Sequence, residues 1–192
     1  MKDRLEAEKY FRDLRTEADK LAEEGVHEHI SPAIRLTEIT ELALQQAAEW
    51  PVQRSASGMR EAAYWDWRHE VARFRRRPRR VEVAIWYEQT LLCGLALGRT
   101  SKNRVVGTIH LLEKNPRLRE ILPPADGVIE PILVAPIAVR FLEAYALLLG
   151  CKDVAIDHPF ADLVSYYESL GFDRRVTKGK KVLRLHHVLT RR

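Results

Sequence analysis

The chain has 192 residues, enough for one well-buried domain with an appendage. Its 46% hydrophobic and 31% charged residues match a soluble globular protein, and no apolar run approaches the roughly 20 residues of a membrane helix. The two cysteines, Cys93 and Cys151, lie far apart and make no disulfide framework; with no apolar signal core in the first residues, the expected location is cytoplasmic, with no membrane partner.

The net charge of +5 is concentrated in two places. Arg73, Arg75, Arg76, Arg77, Arg79 and Arg80 crowd one segment; Arg174, Arg175, Lys178, Lys180, Lys181, Arg184, Arg191 and Arg192 crowd the tail. These clusters read either as attraction for an anionic partner, nucleic acid included, or as the solvated faces of a helix end and a hairpin.

Residues 2–24 read as a charged helix with a narrow stripe of Leu5, Ala7, Tyr10, Phe11, Leu14, Ala18, Leu21 and Ala22, and Gly25 stands where a C-cap would. Such a stripe needs a surface, on its own domain or on a second copy of the chain. Residues 1–30 are therefore taken as an N-terminal helical extension to a domain over 31–192, with a homodimer through this helix as one option. Residues 34–39 alternate as a half-buried strand does. Thr40 opens a helix that carries Leu42, Leu44, Ala47 and Trp50 and that Pro51 ends. After a polar loop at 55–58, residues 59–75 form a second helix with Tyr64, Trp65, Trp67, Val71 and Phe74, stopped by Pro78. Residues 81–87, 91–98 and 104–113 are strands joined by short turns, hence an antiparallel meander.

Residues 132–149 are apolar around almost the whole circumference, which predicts a central buried helix. A right-handed crossover leads from it to a short buried strand at 153–157. A short helix over 161–170 would turn Leu163, Tyr166, Tyr167 and Leu170 to the core and end at a left-handed Gly171. Residues 172–176 and 182–188 pair through Thr177-Lys178-Gly179-Lys180 as a hairpin.

This order of elements, with Tyr167-Glu168-Ser169-Leu170-Gly171-Phe172 and Gly94-Leu95-Ala96-Leu97-Gly98, resembles the GNAT superfamily of N-acetyltransferases over roughly residues 34–190. The resemblance implies an α/β fold: a GNAT-like mixed, mostly antiparallel sheet with a central V-shaped splay, flanked by helices. It implies transfer of an acetyl or other acyl group from acyl-CoA to an amine, on a small molecule or a peptide, by direct attack. The co-substrate would be acetyl-CoA or another acyl-CoA, with no metal. Tyr167 matches the family's general acid, with Tyr166 one step around the helix as the alternative. His110 or Glu113, on the fourth strand, would be the base, or water would serve.

The cofactor-binding positions that the resemblance marks are Leu112, Arg117, Arg119, Gly127, Ile129 and Tyr166. The family's Arg/Gln-x-x-Gly-x-Gly/Ala pattern is reduced to one glycine, Gly127, and Glu130 places a negative charge at the helix entry. The alternative is therefore a catalytically inactive GNAT-like domain that acts as a binding module. Asp157 and His158 form a polar pair at the carboxyl end of a parallel strand, where ligands commonly lie, or else cap the next helix. His27 with His29 and His186 with His187 lack the carboxylate or cysteine support of a metal site. Ser55, Ser57 and Cys93 lack a nucleophile-elbow context. Trp50, Trp65 and Trp67 line an acceptor pocket or pack in the core.

Overall fold

The computed structural model describes residues 2–29, 31–56, 65–122 and 133–190. Among them, β1 (Ile34–Thr37), β2 (Arg80–Tyr87), β3 (Leu91–Thr100), β4 (Val106–Lys114), β5 (Asp153–Asp157), β6 (Arg174–Lys178) and β7 (Lys181–Val188) form one sheet in the order β1-β2-β3-β4-β5-β7-β6. Every neighbouring pair is antiparallel except β4 and β5, which run parallel. The helices are α1 (Lys2–His29), α2 (Glu41–Ala47), α3 (Trp50–Ala56), α4 (Trp67–Arg75), α5 (Leu118–Ile121), α6 (Val134–Leu148) and α7 (Val164–Ser169).

Alternation along the strands builds a core on each face of the sheet. On one face Val81, Val83 and Ile85 of β2 meet Ile137, Phe141 and Leu142 of α6, with α1 and α7 alongside. On the other, Ala84 and Trp86 of β2 and Leu95 and Leu97 of β3 meet Leu44, Trp50, Trp67 and Phe74 from the α2–α4 segment. A helix as apolar as α6 is stable only when covered this way; each fully buried Leu, Ile or Phe in it contributes roughly 1.5–3 kcal/mol.

Several boundaries differ from the sequence expectation. Gly25 lies inside α1, which runs on to His29 because Val26 still buries fully against the core. Of the expected stripe, Phe11, Ala18 and Ala22 are buried, while Leu5, Tyr10 and Leu21 are exposed. In their place α1 buries Arg15 completely. Its guanidinium donates to Glu38 at 2.8 Å, to Glu8 at 3.2 Å and to the Pro78 carbonyl at 3.1 Å. Arg80, also buried, pairs with Glu82 and with Glu8. Buried charge is tolerable because each cation is answered by carboxylates. The arginine-rich segment is thus partly structural, since Arg75 also donates to the Ile39 carbonyl.

Pro51 does not end a helix but sits in the first turn of α3, where its missing N–H costs nothing. The next helix starts at Trp67, because the Asp66 carboxylate accepts from the His69 N–H at 3.0 Å and fixes the N-terminus there. The part expected at 59–64 lies outside the described residues. In α7 the buried residues are Val164 and Tyr167; Leu163 and Tyr166 are more than one-third exposed. Gly171 holds φ +94°, as its position after the helix requires.

Candidate active site

The pairing of β4 with β5 covers Val106–Ile109 and Asp153–Ile156 and then stops, while β4 continues to Lys114. β5 itself ends one residue later, at Asp157, so β4 runs on past it without a strand partner on that side among the described residues. A bulge lies at this point. Against β3, Ile109 pairs with Gly98 and Leu111 with Leu97, so His110 is the extra residue on β4. A regular strand would turn Ile109 and Leu111 to the same face. Here Ile109 enters the α6-side core and Leu111 the α4-side core. His110 consequently shares the α4 face with Leu111, its ring 6.0 Å from that of Phe74, and not with Leu112, which packs on the α6 side.

The bulge presents His110 to Asp157, the last residue of β5. His110 Nδ1 lies 2.9 Å from Asp157 Oδ2. Arg184, directly across from Asp157 on β7, donates to the other carboxylate oxygen from Nε at 3.0 Å and lies 2.9 Å away at Nη2. Burial works to raise the carboxyl's pKa, but the Arg184 hydrogen bonds and charge, then His110, hold it below the ordinary value. Asp157 is therefore ionised and can only accept, so Nδ1 of His110 must carry the proton. Burial also pushes the His110 pKa below 6.5; the Asp157 charge opposes this, and Arg99 and Arg184 add to it. The ring is neutral at neutral pH. Its Nε2 is buried and has no hydrogen-bond partner among the described residues. The arrangement is a neutral imidazole, held in one tautomer, with a bare nitrogen.

Tyr167 lies on the opposite face. It belongs to the α6-side core with Ile109 and Ile156, the last paired residues of β4 and β5, and its ring meets Phe172 edge-on at 6.4 Å. Burial, with Tyr166 adding, pushes its pKa up to about 12, so the phenol keeps its proton throughout the physiological range. Tyr166 is partly exposed, 5.7 Å from the Tyr167 ring.

Of the other expected residues, Leu112, Arg117 and Arg119 follow one another along the end of β4 and the start of α5. Leu112 is half-buried against the α6-side core. Arg117 and Arg119 flank the start of α5 on the surface, and Arg117 pairs with Glu120 at 3.0 Å. Gly127 and Ile129 lie outside the described residues. Glu113, the other candidate base, is buried and accepts from the Trp67 indole at 2.5 Å, because the bulge turns this part of β4 toward α4. Trp50 and Trp67 are core residues. Burial raises the Cys93 thiol to about 12, which leaves it unreactive. Of the polar pair Asp157 and His158, the first holds His110, and His158 reaches the same oxygen at 3.4 Å. In the sequence Arg184 stands only as one residue of the basic tail; the pairing of β5 with β7 sets it across from Asp157, and no local pattern encodes that register. Among the described residues no helix is long and apolar enough to cross a membrane.

No protein-family model and no curated protein matches the chain. Solved structures match it in shape. An acetyltransferase of the GNAT family from Staphylococcus aureus Mu50 is similar at a TM-score of 0.57 and 9% identity, over 82% of this chain and 100% of that one. The PaiA N-acetyltransferase of Thermoplasma acidophilum, in complex with coenzyme A, is similar at a TM-score of 0.52 and 12% identity, over 81% and 99% of the two chains. The aminoglycoside 6′-N-acetyltransferase of Enterococcus faecium is similar at 0.51 and 15%, over 82% and 98%. The strand order, the one parallel pair within it and these likenesses agree: the chain has a GNAT-like fold.

Proposed function

We propose that the protein is an N-acyltransferase that passes an acyl group from acyl-CoA to an amine where the pairing of β4 with β5 ends. The observation that carries this reading is the His110–Asp157 pair. It leaves Nε2 bare and buried on one face of the sheet, while the protonated Tyr167 stands on the other. A base and an acid on opposite faces of the sheet, beside the end of one parallel pair, suit a reaction that removes a proton from the nucleophile and gives one to the leaving group.

The residues present fit an acyl-CoA. Beyond Ile109, β4 outlasts its pairing with β5, and an extended amide-bearing chain can add to such a strand as a further strand would. Leu112 faces the α6 side of that stretch, and Arg119 offers positive charge beyond its end, beside Arg117, which Glu120 answers. The acyl-CoA would supply an activated thioester carbonyl. His110 Nε2 takes the proton that the amine loses as its nitrogen bonds to that carbonyl carbon. The Tyr167 hydroxyl gives its proton to the departing sulfur as the C–S bond breaks. Asp157 acts through His110, holding the tautomer, and Arg184 keeps Asp157 ionised.

The test is acetyl-CoA binding by calorimetry, followed by thiol release with a panel of primary amines. Micromolar binding and amine-dependent thiol release, both retained in Cys93→Ala and the second lost in His110→Ala, are expected. No binding of acetyl-CoA, CoA or a longer acyl-CoA at millimolar concentration overturns the reading and leaves an interaction module on the same fold.

A further inference from the structure

At the carboxyl end of β5, on the α7 face, a cavity of about 530 Å³ opens between the segment His158–Ala161, the start of α7 and the tip of the β6–β7 hairpin. Val164 and Val182, which belong to or pack on the α6-side core, form its floor. Its floor therefore lies on the α6 side of the sheet, opposite His110, while His158 at its edge reaches Asp157 Oδ2 at 3.4 Å. Its rim carries Arg175, Lys180 and Lys181, and no carboxylate lines it. Glu168 answers Arg175 at 2.5 Å and 2.8 Å. Among the described residues, neither Lys180 nor Lys181 has a carboxylate partner. The hairpin turn holds them over the opening: Gly179 takes φ +59°, and a Cβ there would meet nothing within 4 Å. The wall beside them is Phe160, 43% exposed for a residue that is ordinarily buried.

Two unanswered ammonium groups above an apolar floor, with an open aromatic ring at the side, suit a ligand with a negative group on a planar or apolar body. We propose that this cavity binds the phosphate or carboxylate of such a ligand through Lys180 and Lys181, with the body of the ligand against Phe160. That this anion is part of the acyl-transfer reaction rests on the reading above; the binding itself does not. Within that reading the anion has two sources. It is the 3′-phosphate at the nucleotide end of the acyl donor, or it is an acidic group on the amine acceptor.

Adenosine 3′,5′-bisphosphate is the probe, titrated at low ionic strength with no donor or acceptor present. Saturable binding is expected, falling tenfold or more in a Lys180→Glu/Lys181→Glu variant, and also falling in Phe160→Ala. Both lysines stand on an exposed turn, and an unchanged melting temperature confirms that the charge-reversed protein is folded. No saturable binding to the wild type, or equal binding to the charge-reversed variant, overturns the proposal. Coenzyme A and its dephospho form separate the two sources. If the variant weakens coenzyme A but not dephospho-coenzyme A, the group is the donor's 3′-phosphate. If it weakens neither but raises KM for a carboxylate-bearing amine over its neutral analogue, the group is the acceptor's. Bisphosphate binding without any acyl transfer would sustain this site while removing the enzymatic reading.

Discussion

His110 and Asp157 are the first residues beyond the last paired rung of β4 and β5, Ile109–Ile156, and a side-chain hydrogen bond of 2.9 Å joins them. The backbone ladder ends, and one imidazole–carboxylate contact spans the strands beyond its last rung. The bulge at His110 makes this possible, because it turns the ring toward the α4 face, where Asp157 and Arg184 also lie. Local irregularity in one strand thus aims the group that would act beyond the end of the ladder.

Replacing Asp157 by alanine should lower kcat by about 10- to 100-fold, a part of the typical worth of a general base, with little change in KM for the acyl donor. The diagnostic readout is the pH profile. Activity should fall in acid as His110 gains a proton, with a midpoint below 6.5 in the wild type. The Asp157 charge raises the His110 pKa, so its removal should move this acid limb to still lower pH. A lowered rate with an unmoved limb would mean that Asp157 matters only for packing.

The Tyr167→Phe variant keeps the ring that packs against Phe172 and removes the proton that would reach the sulfur. A loss in kcat of about 100-fold is expected, with donor affinity and melting temperature nearly unchanged. Because the phenol stays protonated to about pH 12, Tyr167 should contribute no basic limb to the wild-type profile below about pH 11. Full activity in the variant would remove the acid assignment.

Elements whose pattern is set by their own residues were legible in the sequence. β5 occupies the expected Asp153–Asp157, α6 falls within its apolar run, and Gly171 takes the left-handed turn. What depended on distant partners was not. A sequence pattern counts Arg15 as polar and therefore exposed, yet Glu38 and Glu8 arrive from 23 and 7 positions away to bury it. Glu113 became a core carboxylate because Trp67, 46 positions earlier, donates to it. His110 and Asp157 were each noted as candidates, but their contact is fixed by the parallel register of two strands 47 residues apart, which no local period encodes.

The same buried network makes a prediction about stability. Asp19 on α1 faces Glu23, Glu38, Glu82 and Arg15, and its Oδ1 is buried with no hydrogen-bond partner among the described residues. Burial first, then the surrounding carboxylates, raise its pKa from 3.8 to about 8. Between those values the folded protein holds a proton that the unfolded chain has released. Stability should therefore decline as pH rises through this window and level off above it. The Asp19→Asn variant should lose this component and exceed the wild type in melting temperature at pH 9. Parallel curves for the two proteins from pH 5 to pH 9 would contradict it.

Gly98 tests the bulge itself. A Cβ on this residue would lie 1.9 Å from the Thr108 carbonyl oxygen and 3.0 Å from the Ile109 Cα, both backbone atoms that no rotamer change can move aside. Gly98→Ala must therefore push β3 and β4 apart at the rung beside His110. A cost of about 2–3 kcal/mol is expected, within the usual range for overpacking. Activity should fall further than the loss of folded protein explains, because the shift reaches the strand that aims the imidazole at Asp157. Gly179→Ala is the control for stability alone: with φ +59° and open space around it, it should cost about 1 kcal/mol. Equal losses in the two variants, measured by chemical denaturation, would show that the close approach at Gly98 relaxes freely and that the bulge does not depend on glycine.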